Sequence, residues 1–223
     1  MDTDREYLYI PKEKDLIIVF FGGMGSFKGL ANINDSLPFE MSHFMSNNYK
    51  NVSRLFFVDY FQCWYSKGFF KKPTTLTFCC EFIKKKIQDY KRVYFCGISS
   101  GGYAAILFGS LLNTNKVLAF CPQTNLNILV KDGLIGHHKV PKNNIIPKHM
   151  DLNNVINKDT QYIIYANKKV KNLKNYHHIN QCLNIGHHYN VSIIDNNPYL
   201  PNYKIMIKTK NLNKIFDNLI SQE

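Results

Sequence analysis

Residues 92–102 read Arg-Val-Tyr-Phe-Cys-Gly-Ile-Ser-Ser-Gly-Gly. An apolar run ends in Gly97-Ile98-Ser99-Ser100-Gly101, and a stretch of small residues follows, Gly102, Ala104 and Ala105 among them. The apolar run Val93-Tyr94-Phe95-Cys96 ahead of a Gly-x-Ser-x-Gly turn predicts a strand over Arg92 to Ile98. The small residues behind it predict a helix over Ser100 to Leu112, close enough to the sheet to exclude larger side chains. Ser99 would then sit on a tight strand-to-helix turn in strained backbone geometry. Its hydroxyl would project from the carboxyl end of the sheet, where α/β proteins bind ligands. Glycine and serine are common, so the spacing alone is a weak signal. The strand in front and the helix behind give it weight.

Outward from this turn, short apolar runs alternate with amphipathic segments. Strands are predicted at Asp15 to Phe21, Arg54 to Tyr60, Lys116 to Cys121, Gln161 to Ala166 and Asn190 to Ile194. Unbroken apolar strands are expected where helices cover both faces of a sheet. Thr77 to Tyr90 places Phe78, Phe82, Ile83 and Ile87 at helical spacing opposite Lys84, Lys85 and Lys86. Tyr203 to Ile220 reads as a closing helix. Residues 125 to 157 are irregular, with Gly133, Gly136, Pro141 and Pro147, and read as an insertion over the sheet. The expected architecture is a single α/β domain over 1–223, a mostly parallel doubly wound sheet.

A second glycine cluster, Phe21-Gly22-Gly23-Met24-Gly25, follows the first of these strands. Acyl chemistry needs backbone N–H donors aimed at a developing oxyanion. Ser100 would supply one, and Gly22, Gly23 or Met24 the other. Dinucleotide binding fits less well. The third glycine is missing from Gly23-x-Gly25, and Asp59 lies too far along to be the ribose ligand. Trp64 and Tyr65 follow the second strand and are candidates for a pocket wall.

FGGMG at 21–25, VDYFQCWYSKG at 58–68, FCGISSGGYAAILFG at 95–109 and KVLAFCPQT at 116–124 together resemble the α/β-hydrolase superfamily. More narrowly, they are similar to small serine-hydrolase-like proteins of bacterial surface-polysaccharide gene clusters. The likeness covers residues 15 to 125 well and the rest loosely. It implies a hydrolase fold, Ser99 as nucleophile, then an acid and a histidine in that chain order. Here the sequence departs from the pattern. No Asp or Glu lies between Asp159 and Asp195, and no histidine follows His188. Asn172 and Asn175 stand where the acid is expected. His177 and His178 are the first candidates for the base, since they follow a strand. His137 and His138 in the insertion come next, with His149 beside them. Asp195 or Asn175 would orient the ring. His187 and His188 precede the last strand and belong to the wrong end of the sheet.

The composition bounds the remaining possibilities. Lys+Arg exceed Asp+Glu by 28 − 16 = 12, but only Arg5, Arg54 and Arg92 are arginines, and no nucleic-acid signature is present. No apolar run is long enough to span a bilayer. The charged start, Met1 to Glu6, argues against a signal peptide. Cys63, Cys79, Cys80, Cys96, Cys121 and Cys182 read as core residues of a reduced, cytoplasmic protein. No metal-ligand spacing and no cofactor motif stands out. Two readings follow. One is an esterase or deacylase acting through Ser99 on a small-molecule or glycan acyl ester. The other is a catalytically silent hydrolase-fold binding protein.

Overall fold

Leu16–Phe21 is apolar at every position because both of its faces are covered. Ile17, Val19 and Phe21 point into one core, and Leu16, Ile18 and Phe20 into a second core on the other side. The computed structural model describes residues 6–24, 39, 41–131, 149–168, 179–195 and 210–221. Within them, seven strands form one sheet: β1 Tyr7–Ile10, β2 Leu16–Phe21, β3 Ser53–Phe57, β4 Arg92–Ile98, β5 Lys116–Phe120, β6 Gln161–Tyr165 and β7 Val191–Ile194. Their order is β1-β3-β2-β4-β5-β6-β7, all neighbours parallel except β1 against β3. The predicted mostly parallel, helix-covered sheet is therefore the observed one.

Helices α2 Leu76–Ile87 and α3 Ser100–Leu112 cover one face, with Cys79, Ile83 and Phe108 in its core. Helices α1 Ser42–Asn48 and α5 Asn211–Ser221 cover the other through Phe44, Met45, Leu212, Phe216 and Leu219. The α2 helix begins one residue earlier than its periodicity suggests, because the Thr75 side chain caps the Phe78 N–H at 3.1 Å. The closing helix starts only at Asn211, preceded by Lys210 in the left-handed region at φ 57°. Residues 203–209 of the predicted span lie outside the described residues.

Two elements have no counterpart in the sequence reading. β1 is short and flanked by charge, and it forms because Tyr7 to Ile10 find an antiparallel partner in β3. The Lys86 ammonium lies over the Tyr7 and Tyr9 rings, 5.5 and 5.3 Å from their centroids. α1 has only two buried residues, Phe44 and Met45. So short a helix owes its stability to tertiary packing, here Phe44 against Phe216 at 5.7 Å.

The segment read as an insertion contains helix α4, Leu126–Lys131. Residues 132–148, with His137 and His138, lie outside the described residues. The return at 149–152 runs antiparallel to 124–126, through Leu126 N–H to Met150 O at 2.7 Å and Leu152 N–H to Thr124 O at 2.8 Å. Asp151 pins it, accepting from Asn125 Nδ2, Asn153 N and Asn184 Nδ2 at 2.9, 2.9 and 2.7 Å. Among the described residues no helix is long and apolar enough to cross a membrane.

Arg54 on β3 is 3% exposed, and its Nε and Nη1 have no hydrogen-bond partner among the described residues. Its strand neighbours Ile10 and Ile18 are apolar, and burial holds the guanidinium below its usual pKa. A buried charge with unsatisfied donors is destabilising. Arg54→Met is therefore expected to raise stability by about 1 to 3 kcal/mol, read from urea denaturation. A lower midpoint in the variant would refute the assignment.

Candidate active site

The chain passes from β2 to β3 on one side, then returns past β2 to β4 on the other. This reversal makes the carboxyl ends of β2 and β4 the topological switch point, the place where open α/β sheets bind ligands. The two glycine segments emerge there side by side, because Phe21 and Gly97 are register partners.

Ser99 stands between the end of β4 at Ile98 and the start of α3 at Ser100, with φ 55° and ψ −121°. Few non-glycine residues adopt this backbone, and it persists only where neighbours enforce it. Its N–H donates to Phe120 O at 2.8 Å, and its carbonyl accepts Tyr103 N–H at 3.1 Å. The glycines make the turn possible. A Cβ on Gly97 would collide with the Gly101 carbonyl, and one on Gly101 with the Phe21 carbonyl. Gly102 gives α3 its approach to Pro122, whose Cβ would be 3.1 Å from an added methyl.

Opposite lies the Gly22–Met24 loop. The Gly22 N–H donates to Phe57 O at 3.0 Å and so belongs to the sheet, not to the site. The Met24 N–H donates to the buried Ser100 Oγ at 3.0 Å, which joins the loop to the first turn of α3. Ser100 N–H is one of the first-turn donors for which a helix has no internal acceptor. Gly23 is buried between these residues.

A residue without a role in the sequence reading touches the serine. Gln123, fully buried after β5, places Nε2 3.2 Å from Ser99 Oγ and 3.1 Å from Cys121 O. Its Oε1 accepts the Trp64 indole N–H at 3.2 Å. Indole is only a donor and a carbonyl only an acceptor, so the two ends fix which way the amide faces. Ser99 Oγ thus accepts from Gln123 Nε2 at 3.2 Å, and its own proton has a long contact to Gln123 Oε1 at 3.4 Å. Cys121 beside it has a left-handed φ of 44°. Gln123→Met would leave the Trp64 N–H and the Cys121 carbonyl buried without partners. We expect a loss of about 2 to 4 kcal/mol in urea denaturation, and an unchanged midpoint would contradict this account.

Trp64 and Tyr65 are both buried. Trp64 reaches the site through Gln123, whereas the Tyr65 phenol donates to Gly22 O at 2.8 Å and supports the glycine loop from beneath. Both belong to a turn held by Asp59. That carboxyl accepts the Cys63 and Tyr65 N–H groups at 2.8 and 3.1 Å.

His177, His178, Asn172 and Asn175 lie outside the described residues. His149 begins the pinned return, and its carbonyl accepts the hydroxyl of Tyr103, which lies one turn along α3 from Ser99, at 2.8 Å. The His187 and His188 rings lie 4.3 Å apart before β7, tilted by 31°, and His188 Nε2 lies 2.8 Å from Asn153 Oδ1. Asp195 follows β7 directly. It accepts Lys168 N–H at 2.9 Å and pairs with Lys168 Nζ at 3.1 Å, bridging the ends of β6 and β7. Among the described residues no cluster of His, Cys, Asp or Glu could hold a metal ion.

No protein-family profile matches the sequence, and no curated protein matches it. Solved structures do. A variant of the capsule O-acetyltransferase of Neisseria meningitidis serogroup A, solved in complex with CoA, superposes with a TM-score of 0.59 at 17% identity, covering 94% of this chain and 90% of that one. A carboxylesterase from Lactobacillus plantarum gives 0.57 at 9% identity, covering 97% and 93%. Thermogutta terrifontis esterase 2 gives 0.55 at 11% identity, covering 95% and 86%. At such identities the likeness is one of fold.

Proposed function

We propose that this chain, whose fold is that of the α/β hydrolases, is a serine-dependent esterase or deacylase with Ser99 as nucleophile. The observation that carries the reading is the backbone of Ser99, a strained non-glycine residue at the switch point, between two glycines that permit nothing larger. Strain of this kind collects where it serves a function.

In this reading the Ser99 oxygen attacks the ester carbonyl carbon and its proton passes to an imidazole. The carbonyl oxygen gains the charge and is met by Ser100 N–H. The Met24 N–H, held by Ser100 Oγ in the resting site, is the second donor, released when the oxyanion takes the place of that hydroxyl. The alcohol leaves with the proton, and water then cleaves the acyl-serine. His177 or His178 is the proposed base, with His137 and His138 as second choice. Asp195 is the proposed acid, since it follows β7 and bonds Lys168, on the same β6–β7 connection as His177 and His178. An acyl ester on a glycan is the proposed substrate. An acyl group on a surface polysaccharide is what the capsule O-acetyltransferase makes, and a net charge of +12 suits an anionic polymer.

The second reading, a silent binding protein, draws on Gln123 as the residue in contact with Ser99 and on the absence of histidine after β7. A fluorophosphonate probe separates the two. Covalent label mapped to the peptide bearing Ser99 supports the enzyme, and a folded protein that takes up none selects the binding reading.

A further inference from the structure

Asp59 lies just beyond β3, 2% exposed, at the foot of a turn that is unfavourable in itself. Gln62, Trp64 and Tyr65 have φ of 50°, 53° and 59°, and none is glycine. L-residues enter this region only when held there. The holder is the carboxylate, whose Oδ2 accepts both the Cys63 and the Tyr65 N–H, while Asp59 O accepts the Gln62 N–H at 3.2 Å. Two arms leave the turn. Tyr65 ends on Gly22 O at 2.8 Å, at the root of the glycine loop. Trp64 ends on Gln123 Oε1 at 3.2 Å, and Gln123 ends on Ser99 Oγ at 3.2 Å.

We propose that Asp59 is a positioning residue of the site, fixing both the glycine loop and the Gln123 amide against Ser99 through the turn it holds. The inference rests on the reading of Ser99 as nucleophile for its kinetic consequence, though not for its structural one. Burial pushes the Asp59 carboxyl up to about 6, against the pull of the Tyr65, Cys63, Phe61 and Gln62 N–H groups. Among the described residues the titratable group facing it is the Cys63 thiol, 4.0 Å from Oδ1 and raised by burial, on which Lys67 also acts; the Tyr65 phenol bonds Gly22 O. Below the carboxyl's pKa a neutral acid accepts the two N–H bonds less strongly while its burial costs less, so the contacts around Trp64 change without the turn opening.

Trp64 is the sole tryptophan, so its emission reports this turn directly. The wild-type chain, Asp59→Asn and Tyr65→Phe would be compared for Trp64 emission between about pH 5 and pH 7.5, and for kinetics on a short-chain p-nitrophenyl ester. Expected are an emission change centred near pH 6 that Asp59→Asn lacks, and a kcat in that variant lowered by about tenfold or more with KM held within about twofold. A cooperatively melting Asp59→Asn with wild-type kcat and a wild-type emission titration overturns the proposal. Should Asp59→Asn not fold, the wild-type titration and Tyr65→Phe decide. Flat emission in the first together with unchanged kcat in the second overturns it. A chain that hydrolyses no ester and takes up no fluorophosphonate removes the nucleophile reading, and the emission titration still tests Asp59's hold on the turn.

Discussion

Ester cleavage by Ser99→Ala protein is expected to fall by about a thousandfold, roughly 4 kcal/mol of transition-state stabilisation, with no label taken from a fluorophosphonate. The hydroxyl is the group that forms the acyl bond, so no neighbouring side chain replaces it. Ser100 cannot, since its Oγ is buried and engaged with Met24. Ser99→Gly sharpens the test. It is equally inactive, yet it relieves a backbone at φ 55° that glycine adopts readily, and should gain about 1 to 2 kcal/mol of stability. Opposite signs in activity and stability at one position would identify strain kept for chemistry. Activity surviving in both variants would place the nucleophile elsewhere.

Gly101→Ala is expected to cost about 3 to 5 kcal/mol or to prevent folding. The added methyl would meet the Phe21 carbonyl, and both partners are backbone. Side chains can rotate out of such a contact, but β2 cannot retreat. It lies hydrogen-bonded between β3 and β4, and α3 is buried from Ser100 through Ser110. Gly97→Ala belongs to the same class, its contact being the Gly101 carbonyl. Gly102→Ala is the control. Its nearest neighbour is the Pro122 Cβ at 3.1 Å, a side-chain contact that is tight and not a collision with backbone, so about 1 kcal/mol is expected. Urea denaturation followed by far-UV dichroism ranks the three, and a Gly101→Ala protein as stable as the Gly102→Ala control would disprove the close approach.

The parts of this molecule that were legible in its sequence are those governed by local pattern. Six strands and the turn at Ser99 announce themselves by apolar runs and by glycine at fixed offsets. β1 and α1 do not, because each depends on a partner far along the chain. Gln123 was present in the quoted segment KVLAFCPQT, but an amide gains its meaning only from what it touches, here Trp64 and Ser99 from two other loops. The Asp59 turn escaped notice for a related reason. A left-handed φ is expected at glycine, and at Gln62, Trp64 and Tyr65 only a buried carboxylate makes it possible. A cue did exist: an Asp directly after an apolar strand, ahead of a Trp-Tyr pair, in a segment with no glycine before Gly68.

The strand order also governs how the chain emerges during synthesis. β2 is six consecutive apolar residues whose neighbour on one side, β4, begins 92 − 16 = 76 residues later. At ribosomal rates of about 5 to 20 residues per second, a nascent chain waits roughly 4 to 15 s between making Leu16 and making its partner Arg92. Throughout that interval Leu-Ile-Ile-Val-Phe-Phe has an edge open to any other extended chain, and it has the composition of an aggregating segment. A strand buried along its whole length in the finished protein is thus vulnerable at birth, and holdase chaperones would find their binding sequence there.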